Sequence, residues 1–335
     1  MANKYLFEDL SKTNVSEWDN FLLGQPYNNP FQSGKLFLCL KGTKNYEPKG
    51  IVVRRESDNQ IIGGFVLYKI VERTGIVSRF ATRAILNGGP IVKKGCEYII
   101  SELSKKIIAS YRKDSIYTEI WNMFPQDSVK EFFTEDFKYM PHLNYFVDLN
   151  CDIDTVYSRI SKSTKKHIRK AEKNLKVEIV KDETQFKFFY DCLKERYKEL
   201  SLPLIFRDVF KKVYEAEVGI FLLAYYKDVP VASRVVLPFG KEIYDWYAGD
   251  KYEYRDYYSG ELLVWWILRY GVENKYKWFN FGGAGKPGVK YGPREFKRRF
   301  GGNLVEYGRY RHINSKLLYV IMQQGVKFLE YLKRH

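Results

Sequence analysis

The chain has 335 residues, which is too long for one small domain and agrees with about two domains of ordinary size. Hydrophobic residues make up 45% and aromatic residues 17%, so a disordered, collagen-like or low-complexity chain is excluded. The formal net charge of +16 favours polyanionic partners, such as nucleic acid, nucleotide phosphates or an anionic membrane surface, without choosing among them.

The first half of the sequence predicts one α/β unit. In chain order its elements are two paired strands at residues 51–53 and 61–71, a strand near 84–86, a helix at about 97–111 and a strand at 115–121. The order is therefore hairpin, strand, helix, strand.

The second half repeats this order. A hairpin at residues 219–226 and 229–238 precedes a strand at 242–247, a helix at 260–273 and a strand at 277–281. The repetition predicts an α/β fold with two similar lobes, which we place at residues 1–150 and 151–335, and it excludes a helical bundle or an all-β barrel.

Three further helices are predicted from apolar periodicity in the second lobe. They cover residues 154–174, 183–200 and 315–332. The last one carries a stripe of Leu318, Met322, Val326 and Leu329, which we expect to pack on the protein body rather than to lie in a membrane.

The predicted helix at 154–174 lies in a concentrated basic segment. Residues 157–176 carry eight basic side chains and one acidic one. Neighbouring like charges repel, so the segment suits a face that contacts phosphate; a solvated helix face is an equally weighted alternative. The candidate tRNA or phosphate contacts are Lys162, Lys165, Lys166, Arg169 and Lys170.

A second basic segment covers residues 286–299, with six basic side chains and one acidic one, and it lies between Gly282-Gly283 and Gly301-Gly302. Backbone amides at glycines and nearby cations together suit a phosphate or a developing oxyanion. A plain surface loop is the alternative.

Familiar catalytic motifs are absent from the sequence: it contains no GxSxG, Walker, HExxH or strand-following GxGxxG pattern. Four widely spaced cysteines predict neither disulfides nor a zinc site, so no metal is expected. Asp245 is the acid that best suits a cleft, although an exposed strand residue is the commoner outcome.

No secretory signal or membrane span is apparent, and we expect a cytoplasmic protein that meets a membrane only at its surface.

Four motifs in order resemble the FemABX family, the peptidyl (aminoacyl) transferases that build peptidoglycan cross-bridges. They are Asn29-Pro30-Phe31-Gln32-Ser33, the basic segment 160–171, Trp246-Tyr247-Ala248-Gly249, and Phe281-Gly282-Gly283 followed by Phe296-Lys297 and Phe300-Gly301. The likeness spans nearly the whole chain and is closest to the short members without a coiled-coil insertion.

This resemblance implies two tandem GNAT-like (acyl-CoA N-acyltransferase-like) lobes with mixed sheets flanked by helices. It implies transfer of an amino acid from aminoacyl-tRNA, without a cofactor, to the amine of a UDP-linked or lipid-linked muramyl peptide. The partners would then be the tRNA, that precursor and the inner face of the membrane.

The resemblance also implies residue roles. Lys297 stands where the family places a lysine that stabilises the oxyanion or protonates the leaving group, and Phe296 would position it. The candidate substrate contacts are Arg234, Tyr247, Tyr291, Arg298, Arg299 and Lys35. Where the short members carry a tryptophan and then a phosphate-binding lysine, this chain has Leu36 and Leu38, and Asn122 replaces an acid, so a polysaccharide or lipid precursor stays open as acceptor.

Two other functions remain open. One is a CoA-dependent N-acyltransferase acting on a saccharide or lipid precursor, although neither lobe shows the Q/R-x-x-G-x-G/A loop that binds CoA pyrophosphate in this fold. The other is a non-catalytic RNA-binding protein that uses the basic segment.

Overall fold

The computed structural model describes residues 4–72, 78, 80–125 and 136–334, and it describes side chains as far as residue 325. The chain divides into two compact units, residues 1–140 with 307–335 and residues 141–306.

Strands and helices are numbered in chain order. The strands are β1 Tyr5–Asp9, β2 Tyr46–Arg55, β3 Ile61–Val71, β4 Thr82–Asn87, β5 Ile91–Val92, β6 Tyr117–Trp121, β7 Lys138–Met140, β8 Leu143–Asp148, β9 Leu175–Ile179, β10 Ile220–Tyr226, β11 Val229–Phe239, β12 Glu242–Asp250, β13 Trp278–Gly283, β14 Asn303–Glu306 and β15 Arg309–Ile313. The helices are α1 Val15–Leu23, α2 Gly34–Leu40, α3 Ile100–Tyr111, α4 Ile153–Arg159, α5 Lys162–Asn174, α6 Glu183–Glu199, α7 Arg207–Glu215, α8 Ser259–Glu273, α9 Gly292–Arg298 and α10 Lys316–Arg334.

The first unit is built on an eight-stranded mixed sheet. Its order is β1-β2-β3-β4-β6-β15-β7, with β5 paired to β3. The pair β4–β6 is parallel, because α3 carries the chain back across the sheet between them. Phe65, Leu103 and Ile107 are fully buried in the core between α3 and the sheet.

The second unit repeats the arrangement with seven strands in the order β14-β8-β13-β12-β11-β10-β9. Here β12 and β13 are the parallel pair, and α8 makes the connection. Helix α5 packs on α8 through the buried Ile168 and Ala171. The predicted repeat of hairpin, strand, helix and strand is therefore confirmed, and so is the α/β class with two similar lobes.

The division into units differs from the predicted division at residue 150. Strand β8 pairs with β13 and β14 in the second sheet, so the chain enters the second unit before residue 150. Strand β15 pairs with β6 and β7, so the end of the chain returns to the first sheet. Both differences arise from hydrogen-bond partners that are distant in sequence.

The predicted helix at 154–174 is two helices. Ile160 is extended, and the hydroxyl of Ser161 accepts a hydrogen bond from the Thr164 amide, which caps α5 and separates it from α4.

In α10, which the sequence predicted at 315–332, Leu318 and Met322 are half-buried, whereas Leu317 is 71% exposed. Val326 and Leu329 lie outside the described side chains. Within the described residues, no helix combines the length and the apolar character needed to cross a membrane.

Candidate active site

The candidate site lies where two parallel strands separate in the second unit. Strands β12 and β13 pair over Glu242–Tyr244 and Trp278–Asn280. Beyond those residues β12 pairs with β11, and β13 pairs with β8 through Gly283. The diverging carboxyl ends of parallel strands leave backbone groups available for a ligand, which makes this the usual place for a site in an α/β sheet.

Lys297, on α9, reaches this opening. Its ammonium donates hydrogen bonds to the carbonyl oxygens of Phe281 at 2.6 Å and Gly283 at 2.7 Å. Burial lowers the pKa of Lys297 to about 8; the Asp245 carboxylate opposes this shift and the Arg234 guanidinium adds to it. A cation that loses its proton near pH 8 is suited both to charge stabilisation and to proton donation.

Phe296, the neighbour of Lys297, packs against the hydrophobic core of the second unit, and its ring centroid lies 5.3 Å from that of Phe300. The aromatic contact anchors α9 on the body of the unit. This placement agrees with the role of a residue that positions Lys297.

Arg234 and Asp245 form a buried ion pair close to Lys297. Arg234 Nη1 lies 2.6 Å from Asp245 Oδ2, and the two side chains are 6% and 12% exposed. The register of β11 and β12 sets this pairing: Asp245 lies opposite Val236, and Arg234 lies two residues before Val236 on β11, so the three side chains share one face of the sheet. A β-bulge directly follows Asp245, because Val235 is opposite Tyr247 and Trp246 is an extra residue.

Tyrosines flank this ion pair. Burial raises the pKa of Tyr197, on α6, and the nearby Asp245 and Tyr291 add to that effect. The ring of Tyr197 lies 5.7 Å from that of Tyr247. The structure thus brings Lys297, Arg234, Tyr247 and Tyr291 into one neighbourhood, to which it adds Asp245 and Tyr197.

The other three predicted substrate contacts are exposed to solvent. Arg298 is exposed and pairs with Glu295 at 2.9 Å, and Arg299 is exposed while its carbonyl accepts a hydrogen bond from the Ser161 amide. Lys35 is exposed on α2 of the first unit. Their roles stay predictions.

Arg294, in the same basic segment, has a structural position. Its guanidinium donates to the carbonyl oxygens of Ala284, Lys286 and Val289. These hydrogen bonds stabilise the loop between β13 and α9. Part of the positive charge in this segment therefore has a structural role.

The basic helix α5 presents a charged face to solvent. Lys162, Lys166 and Arg169 are exposed, and none of them has an ion-pair partner among the described residues. Lys165 instead donates to the Ser158 carbonyl at 2.9 Å, and the ammonium of Lys170 lies 5.2 Å from the ring centre of Tyr258.

His167 fixes the other side of α5. Its ring stacks on Tyr258 with 3.8 Å between centroids, and its Nδ1 lies 3.1 Å from the Glu261 carboxylate on α8. The helix that carries the exposed charges is therefore held firmly against the unit.

A half-buried carboxyl supports the opening between β12 and β13. Glu242 accepts a hydrogen bond from Asn280 Nδ2 at 3.1 Å, and Asn280 Oδ1 accepts one from the Gly282 amide at 2.8 Å. This relay shapes the end of β13 whose carbonyls hold Lys297. Burial raises the pKa of Glu242 to about 7, although the Asn280 hydrogen bond opposes the shift.

We expect Glu242→Gln to stabilise the protein at pH 8 and to have a much smaller effect at pH 5. The folded chain retains a proton on Glu242 up to about pH 7, whereas the unfolded chain releases it near the ordinary value of 4.5, so this group costs stability as the pH rises through that window. Glutamine removes a cost of up to about 3 kcal/mol.

The free energy of unfolding from urea titration at both pH values measures the effect. The exposed Glu273→Gln is the matched control and should show no such gain. An equal gain in the free energy of unfolding for Glu242→Gln at pH 5 and pH 8 would contradict the raised pKa of Glu242.

Comparisons with known proteins show similarity of the fold. A solved structure titled FemX superimposes with a TM-score of 0.68 at 14% identity, covering 95% of this chain and 99% of that one. A tandem GNAT protein from the clavulanic acid biosynthesis pathway gives 0.59 at 10% identity, covering 93% and 99%. The L-PGS structure from Bacillus licheniformis gives 0.56 at 15% identity, covering 92% and 95%. A search of curated protein sequences found no match.

The fold is that of two tandem GNAT-like lobes. Residues 210–325, which include β11, β12, β13 and α9, match the FemAB family, and this confirms the FemABX resemblance read from the motifs.

Proposed function

We propose that the protein is an aminoacyltransferase that moves an amino acid from aminoacyl-tRNA to the amine of a muramyl peptide precursor of peptidoglycan, in cross-bridge formation. The observation that carries this proposal is the Lys297 ammonium, which is held on two carbonyls at the separation of β12 and β13 and has a pKa near 8. The FemAB match over the same segment supports the choice of reaction.

The chemistry of the proposed reaction suits that ammonium. Attack of an amine on the aminoacyl ester produces a tetrahedral oxyanion, and the departing ribose oxygen needs a proton. A lysine has three N–H donors, and the two carbonyls use two of them. The third serves the oxyanion and then the leaving oxygen.

The charge of the protein fits both substrates. Aminoacyl-tRNA and a UDP-linked or lipid-linked precursor are polyanions, and the exposed face of α5 offers cations that no described ion pair neutralises. No cofactor is required. A cytoplasmic location and contact with the inner face of the membrane stay predictions.

The decisive experiment measures transfer of labelled amino acids from a mixed aminoacyl-tRNA pool to UDP-muramyl pentapeptide and to its lipid-linked form. Labelled acetyl-CoA is offered in parallel, because a tandem GNAT protein is among the structural neighbours. Transfer from tRNA supports the proposal, and labelling only from acetyl-CoA would replace it with CoA-dependent acyl transfer. Tight RNA binding without transfer from either donor would favour the RNA-binding alternative.

The basic face of α5 makes a separate prediction. Changing Lys162, Lys166 and Arg169 together to Gln should weaken tRNA binding at least about tenfold and lower its salt slope by up to about three, because each exposed cation releases about one counterion. Filter binding over a salt series measures both quantities.

The control for that prediction removes the same number of charges from another helix of the unit. Lys187, Lys194 and Lys198 are exposed on α6, and their triple change to Gln should leave tRNA binding nearly unchanged. Equal losses in the two triple variants would indicate attraction by net charge rather than a docking face.

A further inference from the structure

The buried pair of Arg234 and Asp245 has unused hydrogen-bonding capacity. Oδ2 of Asp245 is held by Arg234, but Oδ1 is buried without a partner among the described residues, and so is Nε of Arg234. Leaving a buried polar atom without a partner costs free energy. Oδ1 of Asp245 can therefore accept a hydrogen bond from a bound group.

The charges around that oxygen indicate the group. The Asp245 carboxylate interacts electrostatically with the Lys297 ammonium, and the lysine has a third N–H to donate. The site therefore sets a negative acceptor beside a positive donor. When an amine attacks an ester, the intermediate carries a positive nitrogen and a negative oxygen on the same carbon, and these two charges match that arrangement.

We propose that Asp245 is the catalytic residue that binds the attacking amine of the acceptor and takes its proton. This inference rests on the proposed function and assigns a base to the acceptor amine, which is the nucleophile of that reaction. An N–H of the amine donates to Oδ1, while Arg234 holds Oδ2 and fixes the orientation of the carboxylate.

In this reaction one carbon–nitrogen bond forms and one carbon–oxygen bond breaks. The amine nitrogen forms a bond to the ester carbonyl carbon, and the carbonyl oxygen takes up negative charge beside Lys297. The nitrogen then gives a proton to Oδ1 of Asp245. The bond between the carbonyl carbon and the ribose oxygen breaks, the ribose oxygen receives a proton from the Lys297 ammonium, and an amide remains. Solvent afterwards returns a proton to the lysine and removes one from the aspartate.

The surroundings favour this role over a purely structural ion pair. The strand register places Asp245 on the face of Arg234, and a structural pair needs no spare carboxylate oxygen. A β-bulge at Trp246 directly follows Asp245, and bulges are over-represented next to active sites.

The test compares transfer by the wild type, Asp245→Asn and Asp245→Glu with labelled aminoacyl-tRNA and UDP-muramyl pentapeptide. We expect Asp245→Asn to lower kcat at least about 100-fold with a change in acceptor KM below about threefold, because general-base catalysis contributes to the chemical step. Asp256→Asn, an exposed aspartate of the same unit, is the matched control and should keep the wild-type kcat.

Asp245→Glu covers the case in which the asparagine variant leaves Arg234 unpaired and fails to fold. The glutamate retains the ion pair but moves the carboxylate by one methylene, so we expect an unchanged melting temperature and a kcat at least about tenfold lower. Wild-type kcat in a folded Asp245→Asn or Asp245→Glu protein overturns the inference, and so does a loss confined to KM. A wild-type protein that transfers nothing refutes the proposed function itself, so the two failures are distinguishable.

Discussion

Replacing Lys297 by Met is expected to lower kcat for amino-acid transfer at least about 100-fold, which is the loss seen when one preorganised oxyanion donor is removed. Methionine has a similar length but offers no proton and no charge to the carbonyls of Phe281 and Gly283. The measurement is the initial rate with labelled aminoacyl-tRNA under saturating acceptor.

The pH dependence separates a catalytic ammonium from a structural one. Because the pKa of Lys297 is about 8, the wild-type rate should fall above pH 8 as the ammonium loses its proton. Lys297→Arg retains a cation at high pH, so its residual rate should not show that fall.

The control for Lys297→Met is Lys187→Met, which removes an exposed lysine on α6. It should retain the wild-type rate, and melting temperatures of all variants exclude unfolding as the cause of a loss. A folded Lys297→Met protein with more than about a third of the wild-type kcat would contradict the assigned role.

Gly301→Ala is expected to destabilise the second unit by about 3 kcal/mol or more. Gly301 has a φ of +73°, which an alanine adopts only at a cost of about 1–2 kcal/mol. A Cβ there would lie 2.4 Å from the carbonyl oxygen of Arg159, so the backbone of either segment has to move. The movement would also disturb α9, because the Arg299 carbonyl is bonded to the Ser161 amide.

Gly288→Ala is the matched control for the strain alone. Gly288 has a φ of +71°, and a Cβ there would meet no atom within 4 Å. Gly288→Ala should lower the free energy of unfolding by only about 1–2 kcal/mol. The difference in that free energy between the two variants, from urea unfolding, measures the cost of the contact with Arg159. Equal losses would show that the contact with Arg159 relaxes without cost.

Local sequence patterns predicted most of the repeated elements. The alternation and turn residues at 219–238 and the helical periodicity at 260–273 depend on neighbours a few positions apart, and β10, β11 and α8 appear where expected. The sequence placed Lys297 and Phe296 in a basic segment between glycines, with a plain surface loop as the alternative, and the structure forms the short helix α9 there, with a proline in its first turn.

The pairing of Asp245 with Arg234 could not be read in this way. Both residues were visible as charges on predicted strands, but the register that sets Asp245 opposite Val236, on the face of Arg234, comes from strand pairing and not from a local pattern. Tyr197 was likewise assigned to an apolar helix stripe, and its place beside Asp245 depends on how α6 lies on the sheet.

The sequence by itself thus determined the class of the fold and the order of elements in each half, since these depend on side-chain periodicity and turn residues. The tertiary structure decided which strands share a sheet, that β15 returns to the first unit, and which face Asp245 occupies. The physical reason is that strand partners and register come from hydrogen bonds between residues far apart in the chain, and a single inserted residue reverses the face of every side chain beyond it.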